Sequence, residues 1–375
     1  MKRRKLPEND TSELMTLLLR LWRQYHKLAG PNDKLQTREF RSVVEKITGQ
    51  FEQYQQGLPI EFDDNRHALG AYLLYFVPIF YQETLSVLSE LSQKPSKVLD
   101  LGAGCGPNSL AALKHGADEV LALDWNMEAL EKAAQICGYS GYTLTTRRWD
   151  LFDPIYSDDK FDLIIAGHRL MEQMHDWKAE EKVKFFDRLK SKLTDGGHIV
   201  VITSSWPAVN AGFLEFRDFV VQKGFSIVAP CIWQDMCPAR QSNTVCYAQR
   251  ERQTPYIMAE IQRSAQINLG SLKMSYLIFS NKDHKIANEE GFEWYRVVSP
   301  PFKTHGGQLY HLCGSQGKKE LALRTKEDSK PALIFNNLRR GDVVEVHSQE
   351  EKTIEVNSNS HLKHVASVQR PVPRI

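Results

Sequence analysis

Long apolar runs are absent from this 375-residue chain. None approaches the roughly 18 residues needed to span a membrane. The opening MKRRKLPEND has no apolar stretch of the secretory kind, and Glu8, Asp10 and Glu13 come too early for a transit peptide. A cytoplasmic protein with no membrane partner is expected. No Cys-x-x-Cys pair occurs, so a zinc ribbon is a poor fit, and six cysteines without a secretion signal argue against a disulfide framework. Charge of one sign is scarce too, at a net +2. That small sum is unevenly spread: residues 1–60 carry +4, residues 61–230 carry −7 and residues 231–375 carry +5. Basic flanks about an acidic centre suit RNA, although solvated surface gives the same pattern; nothing points to DNA. Hydrophobic content of 42% and charged content of 25% are ordinary for a globular protein, and the length allows more than one domain.

The informative stretch is residues 97–124, KVLDLGAGCGPNSLAALKHGADEVLALD. Residues 98–101 form a short apolar run typical of a strand buried on both faces. Then Gly102, Gly104 and Gly106 fall as G-x-G-x-G, a helix opens at Asn108 or Ser109, and a second apolar run ends on Asp124. This is one β-α-β unit with a glycine-rich first turn. Glycine there allows positive φ and lets backbone approach a ligand. A dinucleotide needs G-x-G-x-x-G, and the third glycine at that spacing is missing. An acid two residues ahead of G-x-G-x-G, here Asp100, is instead the pattern of S-adenosylmethionine (SAM) methyltransferases. Asp124, 24 residues after Asp100, is placed to accept both ribose hydroxyls, with Trp125 beside it. A glycine turn in a ligand-free α/β domain is the plainer alternative.

The alternation continues with a helix over 127–136, strands over 142–148 and 161–166, a helix over 178–193, a strand over 198–203, a helix over 213–223 and a final run over 225–228. This predicts a parallel, doubly wound α/β sheet, a Rossmann-like SAM-dependent methyltransferase domain with its ligand at the carboxyl ends of the strands. Asp150, at the end of the third strand and followed by Leu151, is placed to accept from the adenine amine. The acceptor side lacks two familiar devices. Enzymes that methylate exocyclic base amines carry Asn/Asp-Pro-Pro-aromatic after the fourth strand, where residues 166–172 here read AGHRLME. Cys237-Pro238 reverses the Pro-Cys order of enzymes that attack a pyrimidine carbon. His168 and Glu172 are candidate bases or simply line the loop, so no catalytic residue is assigned.

Residues 1–95 read as a helical N-terminal region. Asp10 and Glu13 form a capping-box-like start ahead of Leu14, Leu17, Leu18, Leu21 and Trp22. A second helix covers 37–54, and a third, rich in aromatics, covers 66–91 with a kink at Pro78. Residues 96–230 are the SAM-binding domain. Residues 231–346 hold a cysteine group and short strands at 274–280, 294–298, 308–313, 320–324 and 342–346, which predict a small β-rich module. The loop 299–307, Lys318-Lys319 and Arg339-Arg340 put basic side chains on its rims, as an RNA-contacting module would. Residues 347–375 read as a polar tail.

Cys231, Cys237, Cys246 and Cys313 lie in polar, loop-like stretches. Four thiolates so placed suit zinc or an iron–sulfur cluster; four free, buried cysteines are the plain reading. Cys105 and Cys137 read as packing residues. The run from Gly224 through Ile227-Val228-Ala229-Pro230-Cys231 to Cys237-Pro238, then Cys246-Tyr247-Ala248-Gln249-Arg250, is similar to that of one family. So are Ser275-Tyr276-Leu277-Ile278, Trp294-Tyr295-Arg296-Val297-Val298-Ser299-Pro300-Pro301 and His311-Leu312-Cys313. The chain resembles a bacterial member of the small-ribosomal-subunit methyltransferase-like proteins, which also occur as mitochondrial small-subunit assembly factors. The resemblance covers about residues 66–346. It implies SAM binding, association with the small ribosomal subunit and its rRNA, and a 4Fe-4S cluster held by Cys231, Cys237, Cys246 and Cys313. It leaves two activities open, rRNA methylation and a non-catalytic assembly role.

Overall fold

The computed structural model describes residues 10–60, 65–155, 157–280, 282, 290–314, 316–324 and 328–367. The basic run before Leu6 and the arginines Arg370 and Arg374 lie outside these residues.

Four helices come first: α1 (Asp10–Tyr25), α2 (Thr37–Gln56), α3 (Arg66–Ala71) and α4 (Val77–Leu88). The first two are amphipathic, α1 burying Leu14, Leu18 and Trp22, and α2 burying Val43, Ile47 and Tyr54. The single helix expected over 66–91 is interrupted by a π turn, Tyr72–Phe76. Pro78 gives the physical reason. It has no N–H to donate to the Leu74 carbonyl, and a widened turn just ahead relieves the clash of its ring.

Next come β1 (Lys97–Leu101), α5 (Pro107–His115), β2 (Glu119–Asp124), α6 (Met127–Tyr139), β3 (Thr145–Arg148) and β4 (Phe161–Gly167). They are followed by α7 (Arg169–Gln173), α8 (Ala179–Leu189), β5 (Leu193–Ser204), α9 (Pro207–Gln222) and β6 (Ser226–Ala229). Beyond these lie α10 (Pro238–Gln241), β7 (Ala248–Arg250), α11 (Tyr256–Ser264) and β8 (Leu272–Ser280). The large sheet has the order β3-β2-β1-β4-β5-β8-β6, with β7 also paired to β8. Strands β1 to β5 are parallel, and β8 runs antiparallel to its three neighbours. The run expected in the C-terminal module at 274–280 is therefore an inner strand of this sheet, in register with β5 from His198↔Ser280 to Ser204↔Met274. It is buried on both faces, and an apolar run of that kind carries no signal for which sheet it joins.

Successive side chains of the central strands feed two cores. Leu163, Ile165, Val200 and Ile202 pack toward the N-terminal helices and α5, while Leu99, Ile164, Ile199 and Val201 pack toward α8 and α9. Each such buried aliphatic side chain contributes about 1.5–3 kcal/mol.

The second sheet is built from β9 (Phe292–Val297), β10 (Phe302–Thr304), β11 (Gly307–Gly314), β12 (Gly317–Leu323), β13 (Val343–His347), β14 (Thr353–Glu355) and β15 (Leu362–Ala366). Helix α12 (Lys330–Asn337) packs on it. Its order is β14-β12-β11-β9-β13-β15, with β10 on β11. The stretch expected as a polar tail thus supplies two strands, Ile354 pairing with Leu321 and Leu362 with Val346. Among the described residues no helix is long and apolar enough to cross a membrane.

Candidate cofactor site and cysteine junction

Strands β1 and β4 lie side by side where the strand order reverses, the position at which doubly wound sheets bind ligands. The turn after β1 opens there. Gly102, Gly104 and Gly106 have φ of +68°, +51° and +80°, the left-handed region that glycine adopts at no steric cost. A Cβ on Gly106 would meet Cβ of Ala133 at 2.7 Å, because α6 packs directly on the turn. Around Gly104 the nearest atom is the Tyr72 hydroxyl at 3.9 Å, which leaves room for a ligand.

Two buried acids hold this turn. Asp100 lies beneath it: Ser109 Oγ donates to Oδ2 at 2.6 Å and Asn108 Nδ2 to Oδ1 at 3.4 Å. Burial pushes its carboxyl up to about 6, against the pull of these donors. Asp124 closes the turn from β2, accepting from the Gly104 N–H at 2.8 Å and the Asn126 N–H at 2.9 Å. Of the residues expected at the cofactor, Gly102, Asp124, Trp125, Asp150 and Leu151 line one cavity of about 250 Å³. Asp100, Gly104 and Gly106 shape it from behind rather than line it. Asp150 is exposed, and its Oδ1 accepts from the Phe152 N–H at 3.1 Å.

The cavity gains Trp149, Phe152 and Gln173, which the sequence reading passed over. The indole N–H of Trp149 donates to the Asp153 carbonyl at 3.1 Å and pins the loop after β3. An aromatic pair bracketing the acid at a strand end was the available signal.

Behind the ends of β4 and β5, a polar group is buried against the N-terminal helices. His168 has φ +37°, is 3% exposed, and stacks on Phe80 with ring centroids 3.8 Å apart. Burial pulls its imidazole down to about 3 and raises the Glu83 carboxyl well above its ordinary value. The 3.4 Å contact between His168 Nε2 and Glu83 Oε2 thus sets a neutral imidazole against a carboxyl that burial drives toward its protonated form. Tyr54 and Glu172 are buried beside them, the carboxyls of Glu83 and Glu172 adding to the burial that raises the Tyr54 phenol. His168 and Glu172, the candidate bases, are thus enclosed, at 3% and 6% exposure.

The four late cysteines meet where the two sheets join. Three buried polar residues on one face of α9, at i, i+7 and i+8, organise the loop that carries them. Asn210 donates to the Cys246 carbonyl at 2.7 Å and accepts from its N–H at 3.0 Å, and Asp218 accepts from the Cys237 N–H at 2.9 Å. Arg217 donates to the carbonyls of Trp233 and Asp235 and sits beside Cys231. Cys313 arrives from β11 of the other sheet, in register with Arg296 on β9. Cys231, Cys246 and Cys313 line a cavity of about 70 Å³. Burial pushes the Cys246 thiol up to about 12, with Cys231 and Cys237 adding to it, and burial together with Cys231, Cys246 and Cys237 raises the Cys313 thiol. As the side chains stand, no group of three or more His, Cys, Asp or Glu among the described residues is set to hold a metal ion. Cys105 and Cys137 are buried packing residues.

Two expected rim residues lie elsewhere. Lys319 is 5% exposed and its Nζ is tied to backbone carbonyls of Gln349 and Glu351, while Arg340 lines the cysteine cavity. The pleat explains Lys319, since successive side chains of β12 point to opposite faces, while Arg340 lies in the turn before β13. Lys303, His305 and Lys318 remain exposed, as does Phe302, which pairs with Leu309 in the β10–β11 hairpin.

A parallel doubly wound sheet with one reversed strand before its last, and a glycine turn held by acids from β1 and β2, define a Rossmann-like SAM-dependent methyltransferase fold. The chain belongs to the family described as mitochondrial small ribosomal subunit Rsm22, which matches residues 66–344. Curated relatives are more distant. The ribosomal protein L11 methyltransferase of Geobacter sulfurreducens is 26% identical over 132 residues, covering 35% of this chain and 37% of that protein. That of Lactobacillus gasseri is 36% identical over 87 residues, covering 23% and 27%. The chain thus spans between about a quarter and a little more than a third of the length of these relatives. Among solved structures, the N-methyltransferase NodS from Bradyrhizobium japonicum with S-adenosyl-L-homocysteine aligns at TM-score 0.37 and 14% identity, over 64% of this chain and 100% of that one. The ribosomal protein L11 methylase from Lactobacillus delbrueckii subsp. bulgaricus aligns at 0.34 and 19%, over 54% and 79%.

Proposed function

We propose that this chain binds SAM in the cavity at the ends of β1, β2 and β3 and transfers its methyl group to small-subunit rRNA or a precursor particle. The observation that carries the reading is Asp124, whose carboxylate holds the Gly104 and Asn126 amides while lining the cavity. A carboxylate accepts at about four lone-pair sites, so one group serves the turn and the ribose together. Family membership supports the small subunit as the partner. The exposed Phe302, Lys303 and His305 of the β10–β11 hairpin, with Lys318, support an RNA contact, since they pair a stacking ring with cations. Methyl transfer from a sulfonium is an in-line displacement, in which alignment of donor and acceptor supplies about 7–11 kcal/mol.

One observation favours a second reading, a non-catalytic assembly factor that binds SAM. His168 is neutral, stacked and enclosed, and Glu172 is buried with it. Incubation of the purified chain with methyl-labelled SAM and small subunits lacking this protein separates the two. Label in the rRNA supports the enzyme; SAM retained without transfer supports the factor; label in ribosomal protein alone refutes the RNA reading.

The same proposal places a four-thiolate metal centre, an iron–sulfur cluster with zinc as the alternative, at Cys231, Cys237, Cys246 and Cys313. The donors fit in kind. Cys231, Cys246 and Cys313 line one cavity with Cys237 close enough to act on the last two, and none of the cavity's described lining residues is a carboxylate. Such a centre would pin the second sheet to the first. Iron, sulfide and zinc analysis of anaerobically purified protein tests it, and a preparation with no metal contradicts it.

A further inference from the structure

The cysteine cavity is lined by four arginines, Arg217, Arg250, Arg296 and Arg340. Arginine stays charged at every accessible pH. Two carboxylates answer them. Asp218 pairs with Arg217 at 2.8 Å, and Glu90 pairs with both Arg250 at 2.8 Å and Arg296 at 3.1 Å. Among the described residues Arg340 has no carboxylate partner; it lies over the Tyr247 ring, 3.8 Å from the centroid. The adjoining Arg240 and Arg339 bring their own acids, Glu215 and Glu251. The cavity therefore carries two positive charges more than its carboxylates cancel.

A second observation is independent of this charge count. All four arginines keep a buried Nε–H with no hydrogen-bond partner. A buried donor left unmade is costly, and more so when it is charged. Four such donors round one cavity, with an excess of positive charge, describe the receptor for an anion. Neutral thiols do not supply one. Four thiolates round a divalent zinc or a doubly positive cluster core form a dianion, which equals the excess in size and opposes it in sign.

We propose that Arg217, Arg250, Arg296 and Arg340 are the charge counterpart of a dianionic four-thiolate centre, so that the junction between the two sheets is electrostatically balanced only with metal bound. This rests on the metal reading above. The arginines come from α9, β7, β9 and the turn before β13, so the balance couples both sheets. Without metal, the unanswered charge loosens the attachment of the second sheet, and metal loading reports to the RNA-facing hairpin through it.

The test uses the full chain, purified without oxygen, with its iron, sulfide and zinc measured. An apo form is made by chelation, and Arg340→Met, Arg296→Met and Arg340→Lys are compared with wild type. Removing an unmatched cation stabilises the apo form and weakens the loaded one. Arg340→Met is expected to unfold at a higher temperature than wild type when apo, and both methionine variants, Arg296→Met losing its Glu90 pair as well, are expected to release metal to a chelator roughly tenfold faster when loaded. Arg340→Lys keeps the charge and follows wild type in both. An Arg340→Met variant that lowers both melting temperatures alike, or methionine variants that release metal at the wild-type rate, overturn the charge role while the metal reading stands. Wild-type protein without metal refutes the metal reading, and the charge role falls with it.

Discussion

Replacing Asp124 by Asn is the sharpest perturbation of the cofactor site, because it exchanges one oxygen for an NH₂ group at nearly constant volume. The carboxylate accepts from the Gly104 N–H at 2.8 Å and the Asn126 N–H at 2.9 Å. An amide can accept at its oxygen only, so one of these backbone donors then faces an NH₂ group. Hydrogen bonds to charged groups are worth about 1.5–3 kcal/mol, so the variant should lose about that much stability through the turn. Asp124 also lines the cavity at only 2% exposure, where a ribose bond to a carboxylate is poorly replaced by water. Losing one charged acceptor there should weaken SAM by about 10- to 100-fold. Asp124→Ala removes every acceptor and should lose more of both. Calorimetric titration with SAM and S-adenosylhomocysteine, beside thermal unfolding, reads the two effects separately. A variant with a lowered melting temperature and wild-type affinity would refute the reasoning, since the acid would then serve the turn and not the ribose.

Gly106→Ala must bring a Cβ to 2.7 Å from Ala133 at φ +80°, so it should destabilise by about 1–3 kcal/mol and weaken SAM by displacing α6, read by denaturant unfolding. His168 titrates at about 3 in the folded state against 6.5 unfolded, so the unfolded chain takes up its proton first as the pH falls. Its contribution is therefore present above pH 6.5 and is lost below it, by about 2 kcal/mol on reaching pH 5. Asp100, pushed up to about 6, acts in the opposite sense, gaining stability as pH falls, so the readout is the difference between wild type and His168→Gln. That difference should be flat above pH 6.5 and slope below; a flat difference throughout would mean the imidazole is not buried neutral. Lys303→Glu with Lys318→Glu should weaken binding to small subunits or naked rRNA and flatten its salt dependence, while leaving SAM affinity unchanged; an unaltered salt slope would show that this edge does not touch RNA.

The glycine turn was legible in the sequence because a strand, a φ-positive turn and a helix start leave three separate marks within residues 98–109. The alternation from β1 to β6 followed for the same reason. What the sequence concealed was placement between distant segments. Residues 274–280 are apolar on both faces, and such a strand fits either sheet equally. Strands β14 and β15 each commit one inward residue, Ile354 and Leu362, too few to show a period. Lys319 and Arg340 read as surface cations because lysine and arginine usually are; only the fold reveals the carbonyls and thiols that received them. Asn210, Arg217 and Asp218 were hidden by the same habit, being polar residues on an amphipathic helix whose buried face they join. The cysteine set was visible as a set, but its convergence depends on the second sheet bringing Cys313 of β11 beside the loops that follow β6 in the first.

The central claim is that the bend after β1 holds the adenosyl group of SAM. Equilibrium dialysis of the full wild-type chain against labelled SAM tests it most directly. The account predicts saturation near one SAM per chain, displaced by S-adenosylhomocysteine and not by NAD; no retained label at any SAM concentration in the physiological range would contradict it.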